Sequence, residues 1–176
     1  MSASPSPDMP YSIRPAIAAD LPAVRELLAS AALPVEGVEA QFGASYAVAV
    51  SQSGAIIGAE GIEAYGSSGL LRSAVVDPAW RGRGVGEALS KGRLRWARMA
   101  GLRELYLLTT TASEYFRKFG FVPVERASAP PELQASSEFA SVCPSSATTM
   151  RLVLSEEPER DHVADLARTT YGAQGA

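Results

Sequence analysis

Residues 75–86, with the sequence VVDPAWRGRGVG, decide the fold of this 176-residue chain. The stretch starts at the end of a predicted strand and leads directly into a predicted helix. The turn between the two consists of Arg81, Gly82, Arg83, Gly84, Val85 and Gly86. Small residues free the backbone N–H groups of such a turn to point at an anion, and the N-terminus of the following helix adds a partial positive charge. The pattern therefore predicts a binding site for a pyrophosphate.

Two familiar phosphate-binding turns do not fit this stretch. A Walker A loop would have Lys followed by Ser or Thr where this chain has Glu87 and Ala88. The glycines follow the spacing G-x-G-x-G rather than G-x-G-x-x-G, and the preceding strand belongs to a predicted antiparallel meander. A dinucleotide-binding βαβ unit is therefore not indicated.

Outward from the turn, hydrophobic periodicity predicts an α/β domain with a mixed, mostly antiparallel sheet flanked by helices. The predicted strands are 11–14, 46–50, 56–65, 70–76, 105–110, 121–125 and 148–154. The predicted helices are 20–32, capped by Asp20, then 86–100, 112–119 and 131–139. Val85, Leu89 and Met99 are expected on the buried side of the second helix. The single domain spans residues 11–154, between a disordered segment 1–10 and a polar tail 155–176.

Composition narrows the class of protein. The chain is 47% hydrophobic and 20% charged, which is typical of a globular protein, and no apolar run approaches the ~20 residues that span a bilayer. We expect no membrane contact and a cytoplasmic location, since the N-terminus lacks the basic and apolar regions of a signal peptide. One histidine (His162) and one cysteine (Cys143) exclude a multi-Cys/His metal site and a disulfide framework.

The charge distribution is uneven. The chain has a net charge of −3, yet eight basic and two acidic residues lie between Arg72 and Arg103, which gives that stretch a charge of +6. We therefore expect no general affinity for nucleic acid and a local attraction for anions around the glycine turn.

Residues 75–86 strongly resemble the acetyl-coenzyme A signature of the GNAT (GCN5-related N-acetyltransferase) superfamily. The pattern Gln/Arg-x-x-Gly-x-Gly/Ala is matched by Arg81, Gly84 and Gly86. A second match is residues 112–121, ASEYFRKFGF, which resemble the family's segment of an aromatic residue, three further residues and Gly-Phe. With the order of elements, the resemblance covers residues 11–154. It implies a GNAT-like fold, acetyl-coenzyme A as cosubstrate and acetyl transfer to an amine.

The resemblance also implies roles for individual residues. The backbone of Val75 and Val76, where the strand splays from its neighbour, would hold the pantetheine arm and offer an N–H to the thioester carbonyl. The amides of residues 81–86 would bind the pyrophosphate, and Ala112 and Phe116 would contact the cofactor.

For the proton donor and the base the sequence offers several candidates. The tyrosine that many relatives use to reprotonate coenzyme A falls at Phe116, and Tyr115 precedes it; adjacent helical residues point about 100° apart. Water, Ser113, Tyr115 in a different pose, or no dedicated residue at all could fill this role. For the base we expect Glu60 or Glu63, which face opposite sides of a strand so that only one can line the cleft; a solvent-facing position is the alternative for each.

Further resemblances concern the acceptor. Residues 119–126, Glu138-Phe139 and CPSSA at 143–147 resemble the arsenic-resistance N-acetyltransferase subfamily, and LLTTT at 107–111 resembles the acetyltransferase domain of N-acetylglutamate synthase. Both imply a small amino-acid-like acceptor, including a glutamate analogue such as arsinothricin. The residues that we assign to the acceptor are Arg72 for its carboxylate, Ser73, Thr109 and Thr110 as hydroxyl donors, and Cys143 on the substrate side or as an arsenic sensor.

Alternatives remain for these assignments. Arg72 could form a surface ion pair, and Cys143 could be a small buried hydrophobic residue. The whole chain could be a coenzyme A-binding regulatory or sensor module that has lost catalysis with its tyrosine, or an N-acetyltransferase of proteins or peptides. Beyond the small-molecule amine, the partner we expect is a second copy of the chain in a homodimer.

Overall fold

The computed structural model describes residues 10–142 and 144–155. Its strands are β1 Tyr11–Pro15, β2 Tyr46–Ser51, β3 Ile56–Tyr65, β4 Ser68–Val76, β5 Glu104–Thr109, β6 Val122–Pro123 and β7 Thr148–Val153. Its α-helices are α1 Leu21–Ser30, α2 Val85–Met99, α3 Ser113–Arg117 and α4 Pro131–Gln134, and a π-helical turn covers Glu138–Val142. The predicted segment before residue 10, Cys143 and the predicted tail from residue 156 onward lie outside the described residues.

One mixed sheet with the strand order β1-β2-β3-β4-β5-β7-β6 forms the centre of the fold. The predicted meander is confirmed, because β2, β3 and β4 pair antiparallel in sequence. Of the strand pairs in the described part of the chain, only β4 and β5 are parallel. The predicted strand 121–125 is shortened to β6. Phe121 turns into the core with 1% of its surface exposed, and after Pro123 the amide of Val124 still donates to the Thr149 carbonyl at 2.9 Å.

Helices cover both faces of the sheet. Side chains alternate along β3, so that Ala59 contacts the cluster that contains Val24 and Leu28 of α1, while Ile62 contacts Leu94 and Ala97 of α2. Helix α3 lies on the face of α2, and α4 lies on the face of α1. The faces are named the α1 face and the α2 face below. The chain thus folds as three layers, with buried hydrophobic clusters on both faces of the sheet.

Two sequence predictions are corrected in detail. Asp20 precedes α1 as predicted, but it does not cap the helix, because its carboxylate accepts hydrogen bonds from Arg14 at 2.7 and 2.9 Å and from the amide of Ile17 at 2.8 Å. Met99 is 82% exposed rather than buried. Arg93, on the same helix, is buried, and its guanidinium donates to the backbone carbonyl of Ser45 at 2.7 Å.

The predicted helix 131–139 is also divided. Helix α4 ends at Gln134, and the π-helical turn begins four residues later at Glu138. Among the described residues, none of the helices has the length and apolar character that crossing a membrane requires.

A bulge and a divergence in β4 shape the centre of the molecule. Ala59 pairs with Val75 and Gly61 pairs with Arg72, so two residues of β4, Ser73 and Ala74, lie opposite Glu60 alone. Ser73 has a φ of 58°, which is rare for a residue other than glycine. Strands β4 and β5 pair only as far as Leu70, and beyond it they diverge. A wedge therefore opens between them, next to the start of α2.

Candidate active site

A cleft of about 1270 Å³ fills the wedge between β4 and β5. The turn before α2 lines one end, and Arg72 and Glu138 line the other. Because the cleft passes between two strands, it reaches residues on both faces of the sheet: Ser90 and Tyr115 on the α2 face, and Leu33 and Glu138 on the α1 face. A ligand in this cleft can therefore meet different chemical groups on its two sides.

The glycine turn has the geometry of an anion site. Gly82 and Gly84 have φ angles of 75° and 82°, which favour glycine, and both are exposed. Gly84 is the N-cap of α2, and the amide of Ala88 is the donor that closes the first helical turn on the Gly84 carbonyl. The amides of Val85, Gly86 and Glu87 precede it and have no intrahelical acceptor, so they are available to an anion.

The two arginines of the turn take part in its local structure. The Nε of Arg81 donates to the carbonyl of Val76 at 3.3 Å, which ties the turn to the end of β4. The guanidinium of Arg83 lies 4.9 Å from the ring centre of Trp80, a cation–π contact. Both side chains keep positive charge at the rim of the cleft, while the backbone amides lie at its base.

Val75 and Val76 follow the bulge and lie along the wedge. Val75 joins the core on the α1 face, and Val76 lies on the α2 face, where one of its methyl carbons is 3.5 Å from the position that a Cβ on Gly86 would occupy. Since β5 has diverged here, this edge of β4 has no partner strand, and its backbone polar groups are open to a ligand. The geometry fits an extended chain such as a pantetheine arm that runs from the turn along β4.

A line of three hydrogen-bonding side chains lies on the α2 face of the cleft. Glu60 of β3 is 1% exposed, and its Oε1 lies 3.1 Å from the Oγ of Ser90. The same Ser90 Oγ lies 3.0 Å from the hydroxyl of Tyr115. Tyr115 lines the cleft, and its hydroxyl is 3.5 Å from the position of a Cβ on Gly86. The line therefore runs from a buried carboxyl group to the wall of the cleft beside the turn.

The environment of Glu60 favours its neutral form. Burial raises the pKa of Glu60 to about 8, although the Ser90 hydrogen bond and the nearby positive charge of Arg93 both lower it. Burial also raises the pKa of Tyr115, which therefore stays protonated over the same range. At neutral pH the line holds exchangeable protons from the carboxyl group to the phenol.

A cluster of charged side chains lies on the α1 face. The Arg72 side chain is fully buried, with its Nη1 3.5 Å from Glu63 and its Nε 3.3 Å from Glu138. Its Nη2 donates to the carbonyl of Glu36 at 2.9 Å, and its Nε donates to Ser73 at 3.3 Å. The alternative prediction of an ion pair at Arg72 is thus correct in that Arg72 pairs with Glu63 and Glu138, but the pairs are buried rather than on the surface.

Glu138 is the carboxylate of this cluster that lines the cleft. Burial raises the pKa of Glu138 to about 7; Arg72 opposes this effect, and the negative charge of Glu63 adds to it. Glu138 can therefore gain or lose a proton near neutral pH. Glu63 does not line the cleft, so of the two glutamates on β3 only Glu60 reaches it, on the α2 face.

The structure places the other predicted residues as follows. Thr109, Thr110 and Ala112 line the cleft, and the Thr109 hydroxyl accepts a hydrogen bond from the Ala112 amide at 2.9 Å, which fixes the start of α3. Phe116 also borders the cleft, but its ring lies in the core, 5.8 Å from that of Phe121. Cys143 lies outside the described residues.

Sequence reasoning missed two residues of the cleft as site residues. Ser90 lies one helical turn after Gly86, so the spacing of four residues could have placed it on the same side of α2 as the turn. Glu138 belongs to the Glu138-Phe139 resemblance given above, but that resemblance assigned it no role, and it reaches Arg72 only through the tertiary packing of the segment after α4.

Comparison with known proteins agrees with this geometry. Residues 43–123 match the family model of the acetyltransferase (GNAT) domain. No curated protein matches the chain. The chain therefore contains a GNAT acetyltransferase domain, and its mixed sheet with flanking helices is the GNAT acyl-coenzyme A N-acyltransferase fold.

Solved structures with the same fold include three of interest. The protein Rv2747 from Mycobacterium tuberculosis, in complex with CoA and NLQ, is 23% identical, with a TM-score of 0.67 over 82% of this chain and 99% of that one. N-acetylglutamate synthase from Neisseria gonorrhoeae, in complex with coenzyme A and L-arginine, is 20% identical, with a TM-score of 0.67 over 82% of this chain; the chain spans about a third, 33%, of that protein. The ribosomal-protein-S18-alanine N-acetyltransferase from Escherichia coli is 18% identical, with a TM-score of 0.63 over 85% and 97% of the two chains.

Proposed function

We propose that this GNAT acetyltransferase domain transfers the acetyl group of acetyl-coenzyme A to the amino group of a small amino-acid-like acceptor. The observation that carries the proposal is the cleft between β4 and β5, which joins an anion-binding turn to a buried pair of opposite charges, Arg72 and Glu138. The turn suits the pyrophosphate of the cosubstrate, and the charge pair suits a zwitterion.

The cosubstrate would lie along the wedge. Its pyrophosphate would accept hydrogen bonds from the amides of the turn, and its pantetheine arm would pair with the open edge of Val75 and Val76. The bulge at Ser73 and Ala74 interrupts the pairing with β3 at the point where the thioester would arrive, so that a backbone N–H of this region can polarise the carbonyl. Coenzyme A-bound structures of the same fold support this placement.

The acceptor would occupy the α1 face. Arg72 and Glu138 offer a positive and a negative group 3.3 Å apart, which complements a free amino acid with its carboxylate and amine. The acceptor carboxylate would share Arg72 with Glu138, and Glu138, with a pKa of about 7, would accept the proton that the amine must lose before it attacks. Thr110 and Ser73 would supply hydroxyl groups.

Within this class we propose a glutamate-like acceptor, with the arsenical arsinothricin as the specific candidate. The support comes from the sequence resemblance of residues 119–126 and 143–147 to arsenic-resistance N-acetyltransferases. The same fold occurs with coenzyme A in other proteins: the N-acetylglutamate synthase structures are complexes with L-arginine or N-acetyl-glutamate, and the Rv2747 structure is a complex with CoA and NLQ. A cytoplasmic location and a homodimer stay predictions.

The test presents the protein with acetyl-coenzyme A and each amine of a panel, and measures the release of the free coenzyme A thiol. The panel contains glutamate, glutamine, arsinothricin, phosphinothricin, a peptide with an N-terminal alanine and a lysine-containing peptide. We expect turnover with at least one free amino acid and none with the peptides. Turnover with peptides alone would identify a protein acetyltransferase, and coenzyme A binding without turnover on any amine would identify a sensor module.

An Arg72→Gln variant adds a control on the acceptor site. The loss of the positive charge should raise the KM of an amino-acid acceptor and leave the affinity for coenzyme A unchanged, because Arg72 lies at the far end of the cleft from the turn. An Arg25→Gln variant is the matched control, since Arg25 forms an exposed ion pair with Glu39 and neither residue lines the cleft.

A further inference from the structure

We propose that Ser90 and Glu60 position Tyr115 as the proton donor to the thiolate that leaves acetyl-coenzyme A. The inference rests on the proposed function and deepens it. Phe116 cannot protonate the thiolate, because a phenyl ring has no hydroxyl. The proposal assigns this step to Tyr115, which Ser90 and Glu60 hold in position.

Position is the first argument. Tyr115 and Phe116 point in different directions from α3, and Phe116 is 7% exposed within the core. Tyr115 instead packs between Phe119, at 5.3 Å between ring centres, and the first turn of α2. Its hydroxyl reaches Ser90 and faces Gly86, so it lies on the wall of the cleft between the anion turn and the bulge.

The direction of the hydrogen bonds is the second argument. If Glu60 is ionised, Ser90 donates to Glu60 and Tyr115 donates to Ser90, so the phenolic proton points away from the cleft. If Glu60 is protonated, its O–H donates to Ser90, the Ser90 O–H donates to Tyr115, and the Tyr115 proton is free to face the cleft. A neutral carboxyl group in this place therefore aims the phenol at the ligand.

The charged groups around the line favour the second arrangement. Arg93 of α2 is the cation that acts on Glu60, but burial lowers the pKa of Arg93. Its guanidinium donates hydrogen bonds to the carbonyls of Ala44 and Ser45 at 3.3 and 2.7 Å rather than to Glu60. Around Tyr115, the negative charge of Glu87 raises its pKa further, and the Lys118 ammonium lies 5.9 Å from its ring centre. Within residues 10–142 and 144–155 Glu60 makes no ion pair, which is consistent with a neutral carboxyl group at pH 7.

The proton balance of the step is complete. The amine nitrogen forms a bond to the acetyl carbon, the carbon–sulfur bond breaks, and the sulfur keeps the electron pair. Tyr115 gives its proton to the sulfur, Ser90 gives its proton to Tyr115, and Glu60 gives its proton to Ser90. Glu60 regains a proton from solvent through the same line once the thiol has left, while the proton of the amine leaves on the α1 face.

The test compares four single variants in steady-state acetylation of the accepted amine. Tyr115→Phe should lower kcat about 100-fold and leave the KM for acetyl-coenzyme A within about twofold, as expected for loss of a general acid. Ser90→Ala should lower kcat about tenfold, and Ser90→Thr, which keeps the hydroxyl, should restore it to within about twofold. Tyr106→Phe removes another buried phenol, outside the cleft, and should match the unchanged protein.

A second measurement uses the complex with coenzyme A, without turnover. Ultraviolet absorbance of the bound thiolate reports the pH at which the thiol ionises. A phenol that donates to the sulfur stabilises the thiolate, so Tyr115→Phe should raise this pH by about one unit and Ser90→Ala by less.

Two results would overturn the proposal: an unchanged kcat of Tyr115→Phe at every pH, or equal activities of Ser90→Ala and Ser90→Thr. A protein that acetylates no amine would contradict the proposed function instead, and the thiol titration would then still decide whether Tyr115 contacts the sulfur. An unchanged titration in Tyr115→Phe would refute that contact.

Discussion

The protonation of Glu60 gives a prediction that can be measured without any ligand. Glu60→Gln replaces a buried carboxyl group by an amide of the same shape, which cannot ionise and can still form a hydrogen bond with Ser90, as donor through its NH2 group or as acceptor through its carbonyl. In the folded protein the pKa of Glu60 is about 8, above its ordinary value of 4.5. Glu60 therefore binds more protons in the folded state than in the unfolded state between these two pH values, and its contribution to the free energy of unfolding must fall as the pH rises through this window.

The size of the effect follows from the same values. The stabilisation from Glu60 is fully present below pH 4.5 and is lost as the pH rises through about 8. Its full size is about 5 kcal/mol, because each unit of difference between the folded and unfolded pKa contributes 1.36 kcal/mol. Between pH 5 and pH 8 the loss from Glu60 is about 3.5 kcal/mol. No reduction for solvent screening applies, because Glu60 is 1% exposed.

The assay is urea unfolding of the unchanged protein and of Glu60→Gln at pH 5 and at pH 8. All other titrating groups are common to both proteins, so the difference between their free energies of unfolding isolates Glu60. From pH 5 to pH 8, we expect the free energy of unfolding of the variant to rise by about 3.5 kcal/mol relative to that of the unchanged protein. Glu132→Gln, at an exposed position of α4, is the control and should show no such gain. Parallel pH dependences for the unchanged protein and Glu60→Gln would refute the reasoning, and with it the proton supply to Tyr115.

Three further predictions concern other parts of the molecule. Gly84→Glu should abolish binding of coenzyme A in calorimetry, because a side chain at a φ of 82° strains the turn and its charge repels the pyrophosphate; an unchanged Kd would contradict the anion site. The kcat/KM for the acceptor should rise with pH through about 7 as Glu138 loses its proton, since only its ionised form can accept the proton of the amine, and Glu138→Gln should lose this limb of the pH profile; a limb that persists in the variant would assign it to another group. Phe121→Ala should lower the free energy of unfolding by about 3–5 kcal/mol in the same urea assay, because the ring is 1% exposed in the main core; a cost below about 1 kcal/mol would show that the core collapses around the cavity.

Much of the fold could be predicted from local sequence. Alternating side chains identified β2, β3 and β4, and the turn at 81–86 followed by a helical pattern located the start of α2 within one residue. Local rules failed where a distant partner competes. Asp20 has the composition of a cap, but an arginine six residues earlier binds its carboxylate, and Arg93 is buried because carbonyls at the start of β2 accept its protons.

The cofactor part of the site was also accessible to sequence reasoning, because it lies on one continuous segment. The anion turn depends on backbone amides and positive φ angles, and glycines at a fixed spacing indicate both in the sequence. The sequence also showed that Glu60 and Glu63 face opposite sides of a strand, since the side-chain period of two holds for any β-strand.

Only the tertiary structure decided which chemical groups line the α1 face and the α2 face of the cleft. The sequence by itself determined an α/β domain with an anion-binding turn and with a phenylalanine where a tyrosine was expected. The divergence of β4 from β5, the burial of Arg72 between two glutamates, and the line from Glu60 through Ser90 to Tyr115 join residues up to 75 positions apart. Their pKa values and proton directions depend on burial and on the charges nearby, and both are set by packing between segments rather than by any local pattern.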